Sequence, residues 1–144
     1  MKKITMIEII CGNRQLKVTP YERECNPDND DWINAWIEFS VPELKTEFKT
    51  AFTVYELSQL KNGVENIYQS IVSVNESFTV NFDSLENRMN ISFIKIHSEH
   101  VEVNLVLRPE DHAESIKVTD TFYIDQSYFT ALLSGLDEMI NWPE

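Results

Sequence analysis

The chain reads as an α+β domain: an antiparallel, curved sheet of about seven or eight strands with two amphipathic helices packed on one face. Three observations predict this. Most of the sequence alternates apolar and polar side chains with the period of two expected of strands covered on one face. Two segments switch to the helical spacing of three and four. The apolar fraction of 42% and the aromatic fraction of 11% over 144 residues supply a core and argue against disorder. A chain of this length is expected to form one domain spanning residues 1–144, with no linker, repeat or low-complexity segment.

Taken in order, Ile4 to Ile10 and Arg14 to Thr19 flank Cys11-Gly12-Asn13 and suggest a hairpin. Pro20 to Asp31 reads as a polar loop containing Pro27. From Asp31 to Val41, Ile33, Ala35, Ile37 and Phe39 point one way, while Trp32, Asn34, Trp36 and Glu38 point the other. Leu44 to Val54 repeats the pattern through Phe48, Phe52 and Val54. A helix is predicted from about Glu56 to Ser70, with Leu57, Leu60, Val64, Ile67 and Tyr68 on one stripe. Gly63 inside it costs about 1 kcal/mol against alanine, so the helix is expected to bend or restart there. Further strands follow around Phe78–Phe82, Met89–Ile96, Val101–Leu107 and Ile116–Ile124. The closing helix carries Phe129, Leu132, Leu133, Leu136 and Ile140.

Catalytic signatures are missing from this pattern. His97 and His100 stand three apart around Glu99, which matches neither order of the zinc-protease motifs, and they fall in a polar turn. Three glycines are too few for a phosphate-cradling loop, and no Gly-x-Ser-x-Gly elbow occurs. No metal, cofactor or catalytic residue is expected, and the chain reads as a non-enzyme. Cys11 and Cys25 read as reduced thiols of a cytoplasmic protein. No apolar run approaches the roughly 20 residues a bilayer requires, and Glu8 interrupts the N-terminal apolar stretch, so no signal peptide is read there.

Charge is the informative part of the composition. There are 24 acidic and 12 basic residues, a net charge of −12. Residues 1–19 are basic, at +3, whereas 20–47 carry −6 and 101–144 carry −7. Direct nucleic-acid binding needs a basic footprint and is disfavoured, as is an anionic membrane surface. A basic protein partner suits this field. The acidic run Asp28-Asn-Asp30-Asp31 directly precedes Trp32 and Trp36, two aromatic anchors on the polar side of their strand. Glu110, Asp111 and Glu114 form a second acidic patch. These eight residues are the candidate partner-binding set, and replacing both tryptophans is expected to abolish binding while sparing the fold.

Three stretches resemble a known family. They are Asp31-Trp-Ile, then Phe48-x-x-x-Phe52-x-Val54-x-Glu56-Leu57-x-x-Leu60, and Phe122-x-Ile-Asp125-Gln126-Ser127-Tyr128-Phe129-x-x-Leu132. Their order is similar to that of the WapI-type immunity proteins over roughly residues 28–140, with Phe129 standing where leucine is usual. That resemblance implies a small bacterial cytoplasmic protein that neutralises a contact-dependent toxin, in that family a nuclease acting on tRNA. A nuclease carries a basic cleft for RNA, which an acidic inhibitor can occlude. The alternative is an accessory or small-ligand-binding domain of the same shape, which a deep apolar pocket with convergent polar groups would favour. Asp125-Gln126-Ser127 is read as a helix start, with Asp125 as its cap, rather than an active site.

Overall fold

A computed structural model of the chain describes residues 7–71, 77–96 and 100–143. His97, Glu99 and the first residues of the expected N-terminal strand lie outside them. The described residues form eight strands and two α-helices. Strands β1 (Ile7–Cys11), β2 (Arg14–Glu24), β3 (Trp32–Val41) and β4 (Leu44–Thr53) form one antiparallel sheet in the order β1-β2-β3-β4. Helix α1 (Val54–Ser70) then carries the chain to a second sheet. That sheet is built from β5 (Ser77–Asp83), β6 (Met89–Ile96), β7 (Val101–Leu107) and β8 (Val118–Ile124), again in sequence order. A 3-10 turn at Gln126–Tyr128 leads into α2 (Phe129–Ile140). The α+β class and the antiparallel pairing are as the periodicity implies, and the strands divide between two sheets on either side of α1.

Both sheets and both helices share one core. Ile9 and Leu16 of the first sheet, Leu57 and Val64 of α1, Phe93 of the second sheet and Leu136 of α2 line the same apolar cavity of about 20 Å³. The alternation read from β3 holds residue by residue: Ile33, Ala35, Ile37 and Phe39 are buried, and Trp32, Asn34, Trp36 and Glu38 are partly exposed. The two sheets are also tied at one edge. The Arg14 guanidinium pairs with Asp120 and lies over the Phe122 ring, 5.8 Å from its centre. The Cys11 thiol donates to the carbonyl of Tyr123 at 3.3 Å. Both cysteines are free.

Several boundaries differ from the sequence reading, each for a physical reason. Pro20 to Glu24 is strand rather than loop. A proline is tolerated in β2 because β1, among the described residues, stops pairing at Val18. Just beyond, the register with β3 slips between Pro20 and Glu22, a bulge that leaves Tyr21 unpaired. Val54 opens α1 instead of closing β4 because Thr53 caps the helix. Its hydroxyl accepts from the Glu56 N–H, and the Glu56 carboxylate accepts from the Thr53 N–H at 2.7 Å. Ile116 is exposed and precedes β8. Helix α1 runs unbroken through Gly63.

Candidate functional site

The first acidic run lies in the loop 25–31 between β2 and β3. Asp28 is exposed, and its backbone N–H donates to the side-chain oxygen of Asn26 at 3.1 Å. Asp30 and Asp31 carry structural bonds as well as charge. One Asp30 oxygen accepts from the backbone N–H of Tyr55 in the first turn of α1, where a carboxylate also suits the helix dipole. The other accepts from the Asp31 N–H at 3.0 Å. Asp31 pairs with Arg23 at 2.9 Å, and its backbone carbonyl accepts from Val54 at 3.1 Å. The Arg23 guanidinium, and then the Asn26 N–H, hold the Asp31 carboxyl below its ordinary pKa.

Beside this loop, the turn between β5 and β6 docks against the start of α1 through acidic side chains. The Glu56 carboxylate accepts from the Leu85 N–H at 2.9 Å. Glu86 accepts from the Ala51 N–H at 2.9 Å and from the Thr50 hydroxyl at 3.0 Å, covering part of the β4 edge. From its other end, the same turn reaches the second acidic patch. Arg88 is buried, lies 5.1 Å from the centre of the Phe48 ring, and donates to the carbonyls of Arg108 and Pro109. Its remaining nitrogen is 3.7 Å from Asp111, whose side chain is 96% exposed. Glu110 closes its own loop by accepting from the Ile116 N–H at 2.9 Å, and Glu114 is exposed. The residues 84–88 therefore connect the two acidic patches that are about 80 positions apart in the chain.

Trp32 and Trp36 stand on the outer face of the first sheet. Trp36 packs against Tyr21, with ring centres 6.2 Å apart. The Lys49 ammonium lies 5.0 Å from the Trp36 ring centre and 5.3 Å from that of Tyr21. On the same face, the Asn34 amide bridges Glu22 at 2.8 Å and Glu24 at 2.6 Å. Burial first, then the charges of Glu22, Glu24 and Glu86, raise the Tyr21 pKa, so the acidic field of the turn reaches the aromatic cluster. Tyr21, Lys49 and Glu86 were missed from sequence. The bulge that swings Tyr21 over Trp36 has no local signature, although the β3–β4 register that places Lys49 beside Trp36 follows from the tight turn at Pro42.

Among the described residues, the cavities do not favour the small-ligand alternative. The apolar one, at about 20 Å³, has room for little more than a methyl group or one water. A shallow hollow of about 300 Å³ on the outer face of the first sheet mixes Lys17 and Lys45 with Glu38 and Glu47. Among the described residues no three His, Cys, Asp or Glu side chains converge as metal ligands. No helix there is long and apolar enough to cross a membrane.

Solved structures with a similar outline include the plant transcriptional regulator PBF-2, at 12% identity and a TM-score of 0.46, covering 99% of this chain and 83% of that one. WHY1 from Arabidopsis thaliana gives 13% identity and a TM-score of 0.46 over 99% of this chain and 92% of its own. WHY3 from the same plant gives 10% and 0.43 over 97% and 88%. No curated protein matches the chain. The family described as "Immunity protein WapI-like family" matches residues 6–144, which include all eight candidate residues and the Asp125-Gln126-Ser127 junction. Over nearly its whole length, then, the chain belongs to the WapI-like immunity protein family, whose members' role implies a protein toxin as partner.

Proposed function

We propose that this immunity protein acts without catalysis, as one domain in the cytoplasm, by covering the basic nucleic-acid cleft of a nuclease toxin. Asp28, Asp30, Asp31, Glu110, Asp111 and Glu114 supply the acidic contacts, and Trp32 and Trp36 flank them. The observation that carries this reading is the connection of both acidic patches through residues 84–88, held by Glu56 at one end and Arg88 at the other. Acidic groups fixed on a hydrogen-bonded backbone lose little freedom on binding, and a concentrated field of one sign accelerates encounter with a basic partner.

The test is co-expression with candidate nuclease toxin domains in a growth-rescue assay. The native chain should restore growth, and the purified pair should associate more slowly as salt rises. A variant carrying Asp28→Lys, Asp111→Lys and Glu114→Lys changes only exposed carboxylates and should fold. Growth rescue equal to that of the native chain would overturn the electrostatic mechanism.

A further inference from the structure

We propose that Tyr55 and Leu85 form the centre of the toxin-binding surface and seat a partner segment in which an apolar side chain is flanked by lysine or arginine. This rests on the inhibitor reading above and specifies where the binding strength resides. Both side chains project into solvent, Tyr55 at 66% and Leu85 at 67% exposure. Their backbone N–H groups are held by acidic side chains that lie next to one another in the fold. Asp30 holds the Tyr55 N–H, and the carboxylate of the next residue, Glu56, holds the Leu85 N–H at 2.9 Å.

The turn that carries Leu85 is fixed by hydrogen bonds. The Ser84 hydroxyl accepts from the N–H groups of Arg88 and Met89 at 3.2 Å each. Asn87, at φ 59°, closes the turn with its N–H on the Ser84 carbonyl at 2.8 Å. Exposed apolar groups on a fixed backbone are suited to be anchors, because little conformational freedom is left to lose.

Charge identifies the occupant. Two carboxylates are bonded to the backbone beside the pair: Asp30 on the Tyr55 N–H, and Glu86, next to Leu85, on the Ala51 N–H. The cations nearby are already engaged: Arg88 with the carbonyls of Arg108 and Pro109, Arg108 with Asn87 and Asn90, and Arg23 with Asp31 and the carbonyls of Ile140 and Trp142. The tryptophan face is the weaker centre for a basic partner. Lys49 lies across Trp36 and Tyr21, so an approaching lysine or arginine meets a like charge over the aromatic rings.

The experiment is a calorimetric titration of the full chain with an inactivated form of a nuclease toxin domain whose growth arrest the native chain relieves. Tyr55→Ala and Leu85→Ala should each weaken binding about tenfold or more, and the double variant about a hundredfold. The Trp32→Ala, Trp36→Ala double variant should lose less than either single change. The opposite ranking, with Tyr55 and Leu85 variants binding like the native chain, overturns this proposal and leaves the inhibitor reading standing. No binding by the native chain overturns both. Unchanged thermal unfolding of the Tyr55 and Leu85 variants separates lost contact from lost fold.

Discussion

Gly63 in α1 lies against Val80 in β5 so closely that a methyl group on Gly63 would sit 2.6 Å from one Val80 methyl carbon and 3.3 Å from the other. The glycine thus marks the close approach of helix to strand rather than a bend. In an exposed helix, Gly63→Ala would gain about 1 kcal/mol. Here the buried Val80 must move, and overpacking of this kind costs about 1–3 kcal/mol. Gly63→Ala is expected to lower the midpoint of urea unfolding. The double variant Gly63→Ala with Val80→Ala should recover part of the loss, and a higher midpoint for Gly63→Ala alone would refute the packing account.

Glu56 is the second such junction. It is buried, and its carboxylate accepts from the Thr53 N–H at 2.7 Å and the Leu85 N–H at 2.9 Å. Glu56→Ala takes this acceptor from the Thr53 N–H, the Thr53 hydroxyl and the part-buried Leu85 N–H, and a buried orphan such as the Thr53 N–H costs about 1–3 kcal/mol. The loss should therefore exceed that of an ordinary helix cap, about 1 kcal/mol. Glu56→Gln keeps an acceptor oxygen and should be milder. Equal unfolding midpoints for Glu56→Ala and the native chain would remove Glu56 from the core of the account.

These two residues show what the sequence made legible. The stripe Leu57, Leu60, Val64 and Ile67 and the alternation of β3 were readable because burial imposes a local period. Asp125 was readable as a cap, and it does accept from the Ser127 N–H at 2.9 Å, opening the 3-10 turn ahead of α2. The division into two sheets was not readable, since strand pairing is non-local and either arrangement has the same alternation. The site was half readable. Acidic runs are visible as letters, but Asp30 bonding to Tyr55, and Arg88 reaching the loop at Arg108 and Pro109, join segments that only the fold brings together. Glu86 and Leu85, isolated in a turn, carry no pattern at all.

The Asp31–Arg23 pair sets a pH dependence. Its carboxyl has a folded pKa below the ordinary 3.8 because Arg23 and the Asn26 N–H stabilise the charged form. The unfolded chain therefore binds this proton more readily than the folded one, and stability falls as pH drops. The contribution is present in full above about pH 4 and disappears as pH passes below 3.8 through the lower folded value. Asp31→Asn should be less stable than the native chain at neutral pH, with the difference shrinking in acid. A difference that stays constant between pH 7 and pH 2 in denaturant titrations would rule out the linkage.

Arg88 connects stability to the second acidic patch. Its guanidinium forks to the carbonyls of Arg108 and Pro109 while stacking over Phe48, a geometry that lysine's single ammonium cannot reproduce. Arg88→Met fills a similar volume but releases both carbonyls, and hydrogen bonds to a charged donor contribute about 1.5–3 kcal/mol each. Part of that is offset because the loop can turn its carbonyls to water. The expected net loss is about 2 kcal/mol, with Arg88→Lys in between. The distinctive readout is local. Amide hydrogen exchange in residues 108–116 should accelerate in Arg88→Met beyond what global destabilisation produces, because Arg88, together with the Arg108 side chain on Asn87 and Asn90, anchors this loop to the β5–β6 turn. Toxin association should slow at the same time, since Glu110, Asp111 and Glu114 then lose their fixed placement. Exchange that rises evenly across the chain would show that Arg88 supports the core alone, and that the second patch holds its position without it.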